Sequence, residues 1–158
     1  MEAHKRVVEK LIVAIDGSEG ADDAVSLACE TAGRLGVPVE LVFVFQTSSE
    51  ALVGFPGGGV SEEERHLFVP GALEQLEKET TEAVFSRARQ AIGEAGVTVE
   101  ETVLYGLPGD MLVEHANNTP GAMMVMARRG RSNVTELLLG SISQRVLHRA
   151  NCPVVLVP

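Results

Sequence analysis

The sequence predicts a single doubly wound α/β domain, a five-stranded parallel sheet with helices on both faces. Three observations carry this. Short aliphatic runs of strand length alternate with segments of helical apolar spacing along the whole chain. The runs lack polar alternation, as strands do when helices cover both faces of a parallel sheet. Finally, 158 residues with 45% apolar but only 4% aromatic side chains suit one aliphatic core without staples.

The first run is Leu11–Ile15, ended by the turn residues Asp16, Gly17 and Ser18. Helical spacing then spans Ala21–Leu35 through Ala24, Val25, Ala28, Ala32 and Leu35, and Gly36-Val37-Pro38 stops it. Val39–Phe45 reads as the second strand, which completes a βαβ unit. Gln46–Pro70 breaks the pattern with Gly54, Pro56, Gly57, Gly58, Gly59 and the acidic run Glu62–Glu64, and its length and composition predict a flexible loop. A helix is expected over Ala72–Ala95 and a strand over Thr98–Leu104. A shorter helix over Asp110–Asn118 and a fourth strand over Ala122–Met126 follow. After an Arg- and Gly-containing loop come a helix over Ile142–Arg149 and a last strand over Val154–Val157. No repeat or linker divides the chain, so residues 1–158 read as one domain. In such a sheet, ligands bind beyond the carboxyl ends of the strands, where the strand order reverses.

A net charge of −9 repels nucleic acid and anionic membrane surfaces. The N-terminal apolar run is too short to span a bilayer and is broken by Asp16 and Gly17, and no cleavage signal follows it. Cys29 and Cys152 lack metal or redox spacing and read as small core residues in a reducing cytoplasm. His4, His66, His115 and His148 are scattered, so no metal site is expected. There is no Walker GxxxxGK[ST] or HExxH pattern, and Ser141 and His148 lie two helical turns apart. The expectation is therefore a binding protein rather than an enzyme.

One window departs from the acidic average. Between Ala127 and Arg149 stand Arg128, Arg129, Arg131, Arg145 and Arg149 against one acid, Glu136, a balance that suits a small anion. Within it, Gly130, Gly140 and Ser141 lie between a buried strand and a helix start, where backbone N–H groups and the helix dipole favour phosphate. Ser141 with Gln144 also fits a capping box, and Arg128, Arg129 and Arg131 also fit a solvated loop.

These residues resemble the nucleotide-binding branch of the universal stress protein family, whose pattern is G-x2-G-x9-G-S/T. Gly130, Gly140 and Ser141 match it, while Ala127 stands at the first glycine. A first glycine needed for positive φ would make alanine costly, whereas one needed only for close approach would leave room for a methyl. Val13–Asp16 resembles the family's first strand and following aspartate, although Asp16 also fits a turn or helix cap.

The resemblance implies strand order 3-2-1-4-5 and an adenine nucleotide, ATP or AMP, carrying Mg²⁺. Ala14, Ile15, Asp16 and Val44 would hold the base and sugar and Gly130, Gly140 and Ser141 the phosphates, with Met126, Ala127, Arg129, Arg131 and Ile142 also in the nucleotide site. It further implies a cytoplasmic homodimer paired through Val154–Val157. The function it implies is nucleotide-dependent regulation in the stress response. The competing readings are a dimeric adaptor binding AMP, a cyclic nucleotide or no nucleotide, and a slow ATP hydrolase.

Overall fold

The computed structural model describes residues 7–46, 71–131 and 139–158. Their elements are β1 (Lys10–Ile15), α1 (Glu19–Leu35), β2 (Val39–Phe45), α2 (Ala72–Ile92) and β3 (Val99–Tyr105). They continue with α3 (Pro108–Asn117), β4 (Ala122–Ala127), α4 (Ser141–Arg149) and β5 (Val154–Val157). Apart from Gln46, the loop expected at 46–70 lies outside the described residues.

All five strands run parallel in the order β3-β2-β1-β4-β5, as expected. Strand alternation sends Leu11, Val13 and Ile15 to one face, where they meet Ala24, Val25 and Ala28 of α1 and Val84 and Phe85 of α2. Ile12 faces the other way, with Val42, Val44 and Met124, against Leu112, Val113 and Ala116 of α3 and Val146 of α4. The single chain thus builds two apolar layers on one sheet, the doubly wound arrangement. Among the described residues, no helix is long and apolar enough to cross a membrane.

Helix starts differ from the periodicity because caps, not apolar spacing, set them. Ser18 is the N-cap of α1, its Oγ accepting from the Ala21 amide at 3.2 Å, so the helix takes in Glu19 and Gly20. Pro108 opens α3 two residues before the first expected position, its fixed φ suiting a first turn. In α4 the N-cap is Gly140, without a side-chain capping bond, and Ser141 is the first helical residue. The Ser141–Gln144 capping box is therefore corrected: the chain enters the helix one residue earlier than that motif requires.

A polar cluster closes the α3 layer near the amino ends of the strands. Glu40, 5% exposed, accepts through Oε1 from Thr102 Oγ1 at 2.6 Å and contacts His115 Nε2 at 3.0 Å. Lys10 Nζ stands 3.5 Å from Glu40 Oε2 and 2.7 Å from Glu100 Oε2. Four elements, β1, β2, β3 and α3, are tied at this point, and the buried carboxylate is satisfied as such burial demands.

Candidate functional site

The site arises where two strand pairings end at different heights. β1 pairs with β2 as far as Ile15↔Phe43, but with β4 only as far as Val13↔Val125. Beyond Val13, therefore, Ala14–Asp16 and Met126–Ala127 part company and open a crevice at the carboxyl ends of the strands, the point where the strand order reverses. A cavity of about 440 Å³ occupies it, within the range of about 300–1,000 Å³ typical of small-molecule sites.

Ten of the predicted residues line this cavity: Ala14, Ile15, Asp16, Val44, Met126, Ala127, Gly130, Arg131, Gly140 and Ile142. Arg129 and Ser141 are not part of its wall, and the Ser141 side chain is exposed. Ser141 is the first residue of α4, and its neighbours Gly140 and Ile142 line the cavity where it does not. The basic window is narrower than composition implied. Arg145 and Arg149 each bind Asp110 of α3 at 2.7 Å, so they fasten α4 to α3.

At the β1 end, the Asp16 carboxylate is held from one side. Its Oδ1 accepts from the Ser18 amide at 2.9 Å and from Ser18 Oγ at 2.5 Å, a local turn that leads directly into α1. The turn role and a cavity-facing role coexist, because only one oxygen is used in the turn. Oδ2 faces Gly130, where a Cβ would lie 2.7 Å away. Gly130 has no positive φ, so its lack of a side chain serves close approach rather than backbone freedom.

Ala127 is resolved by the same geometry. No described non-glycine residue has positive φ, so alanine carries no backbone strain at this strand end. A Cβ on Gly20 of α1 would lie 3.0 Å from the Ala127 Cβ. The methyl at 127 therefore occupies space that a side chain at position 20 would contest.

The other wall is the start of α4. With Gly140 as N-cap and no acidic residue in the first turn, the first amides have no side-chain acceptor among the described residues, and the positive end of the helix dipole is not neutralised from within. Ser143, 2% exposed, also lines the cavity and donates from Oγ toward the carbonyls of Ala127 and Arg128, 3.1 Å each. Sequence reasoning missed it, along with Val42, Phe43, Phe45, Gln46, Thr80, Pro108 and Leu112. The i, i+3 spacing of Ser143 with the apolar Val146 on one helix face was the available signal for Ser143. Thr80 had none, since it reaches the crevice only because α2 packs beside β2.

The model of the universal stress protein family matches residues 8–158. The chain belongs to that family. As a universal stress protein it is similar to YxiE of Bacillus subtilis, 31% identical over 153 residues that cover 94% of this chain and 97% of the relative. Its fold is similar to that of the universal stress protein UspA from Lactobacillus plantarum, with a TM-score of 0.70, 18% identity, and 96% and 99% of the two chains covered. The universal stress protein from Archaeoglobus fulgidus in complex with dAMP is similar at 25% identity and a TM-score of 0.59, over 97% of this chain and 99% of that one. The chain is thus related to a universal stress protein solved with an adenine nucleotide.

Proposed function

We propose that this universal stress protein binds an adenine nucleotide, ATP, and acts through the bound state rather than by rapid turnover. One observation carries the reading: one cavity has a partly free carboxylate, Asp16, on one wall and, on the other, a helix start without a side-chain cap among the described residues, with Gly130 and Arg131. Ribose hydroxyls are donors that suit Asp16 Oδ2, the apolar side chains of Ile15, Val44 and Leu112 suit a base, and backbone amides with Arg131 suit phosphate. The complex of the Archaeoglobus fulgidus relative with dAMP supports the choice of adenine. Asp16 is the cavity's acidic side chain, so Mg²⁺ would arrive on the phosphates rather than in a protein cage.

The reading without fast catalysis is supported by the same carboxylate, because Ser18 already fixes one oxygen of Asp16. Nucleotide then acts by favouring one state of the chain over another, through differential affinity. We further propose a homodimer paired through β5, an edge strand whose Val154, Val155, Leu156 and Val157 are apolar and half-buried. Sedimentation velocity at tens of micromolar tests it: a dimer is expected, and a monomer overturns it.

The decisive experiment for the ligand is calorimetric titration with ATP, AMP and a cyclic nucleotide, each with Mg²⁺, for the wild-type chain and for Gly140→Asp. ATP binding that the aspartate abolishes is the expected result. AMP preferred over ATP would move the reading to a monophosphate-binding adaptor. No binding by any of the three would overturn it. A colorimetric phosphate assay alongside should give turnover well below typical enzyme rates, on the order of 1–10³ s⁻¹.

A further inference from the structure

We propose that Ser143 is a positioning residue for the phosphate end of the cavity, an inference that rests on the adenine-nucleotide reading above. Ser143 is the third residue of α4 and is almost completely buried, an unusual place for a small polar side chain unless its hydroxyl is used. It is used across the crevice wall, with Oγ 3.1 Å from the Ala127 carbonyl and 3.1 Å from that of Arg128. Both acceptors belong to the exit of β4.

Two residues of the α4 start therefore bind the end of β4. The second is Gly140, whose amide donates to the Arg128 carbonyl at 3.2 Å. Together they fix the distance between the Gly130 side of the cavity and the amides at the start of α4. That distance decides whether an anion meets donors from both sides, since N–H···O bonds weaken steeply away from about 2.9 Å. The first intrahelical bond is Gln144 to Gly140 at 2.9 Å, so the amides of Ser141, Ile142 and Ser143 lie ahead of the helical ladder.

Gly140 makes this arrangement necessary. A serine or aspartate cap would lock the helix start locally but would also occupy one of the amides. Glycine leaves the amides open and supplies no lock. Ser143 supplies it from inside the first turn, using a tertiary bond that takes no amide. Without its hydroxyl, both carbonyls lose a donor, and acceptor oxygens become less well satisfied beside a phosphate.

The test compares ATP with adenosine, which shares base and ribose but lacks phosphates, by calorimetric titration of wild type and Ser143→Ala. The expected result is ATP affinity reduced about tenfold, the scale of one neutral hydrogen bond whose positioning effect is lost at the phosphate end, with adenosine affinity changed less than about twofold. A merely structural serine would lower both affinities together or neither, and either outcome overturns the proposal. If Ser143→Ala does not melt cooperatively, Ser143→Cys, similar in size with a weaker donor, is read by the same ATP-to-adenosine ratio, and an unchanged ratio again overturns it. A wild-type chain that binds neither ligand overturns the nucleotide reading itself, a failure distinguishable from a wild type that binds both and a variant that behaves identically.

Discussion

Gly130 and Asp16 approach so closely that a Cβ on the glycine would stand 2.7 Å from Oδ2 of the aspartate. Because Oδ1 of the same carboxylate is fixed by Ser18, the aspartate has little freedom to withdraw. The two residues are thereby joined in one function: the glycine lets the loop after β4 descend onto the acid that ends β1. Gly130→Ala should cost about 1 kcal/mol of stability and lower ATP affinity at least about tenfold. Since no positive φ is involved, the stability cost should shrink below about 0.5 kcal/mol when Asp16→Ala is added. Urea denaturation of the single and double variants checks this; an unchanged cost in the Asp16→Ala background would show that the contact is not its source.

Gly20 and Ala127 form a second pair, 3.0 Å apart between the alanine methyl and the place of a Cβ at position 20. Gly20→Ala would ordinarily stabilise a helix by about 0.5–1 kcal/mol. In the wild-type background that gain should vanish into the crowding against Ala127, and it should reappear when Ala127→Gly makes room. Ala127→Gly alone should leave ATP affinity within about threefold, because the methyl meets no backbone restriction. A double-mutant cycle by urea denaturation with a coupling near zero would exclude the compensation.

Glu40 makes the acid limb of stability predictable. Burial alone would raise its carboxyl, but the Thr102 hydroxyl, His115 and Lys10 outweigh burial and hold it below the ordinary carboxylate value. A depressed folded-state value contributes stability that is present above the unfolded pKa of about 4.3 and is lost as pH falls through the lower folded value. Glu40→Gln should therefore cost about 1–3 kcal/mol at neutral pH and flatten the decline of the urea midpoint in the acid range. An acid limb as steep as that of wild type would place the titrating group elsewhere.

Cys29 and Cys152 should differ in reactivity. Cys29 is fully buried in α1, and burial pushes its thiol upward, so the nucleophilic thiolate is scarce and inaccessible. Cys152 is half-buried near the amino end of β5. Under native conditions iodoacetamide should modify Cys152 first, with Cys29 reacting only in denaturant, as read by peptide mass mapping. Equal rates would mean that α1 opens far more readily than its packing implies.

The sequence was most informative where structure depends on local pattern. Leu11–Ile15 and Val39–Phe45 could be read as buried strands because an aliphatic run of that length needs apolar cover on both faces. The Gly130 and Gly140 walls were legible because a glycine-bearing segment between a strand and a helix has few physical uses other than close backbone approach. Ser141 was misread as a cap because a capping box and a first-turn serine share the same letters, and only the backbone angles at Gly140 separate them. Arg145 and Arg149 were counted toward an anion because composition sees charge but not the Asp110 that neutralises it from another helix.

By itself, then, the order of residues determined the alternation of strands and helices, the doubly wound class and which strand ends face the crevice, all of which follow from periodicity and turn chemistry within short windows. Tertiary structure alone decided which oxygen of Asp16 remains open, why Ala127 fits against Gly20, and that Ser143 rather than Ser141 is turned inward. Those are distances between segments remote in sequence, and close packing, unlike periodicity, has no local signature for them to be read from.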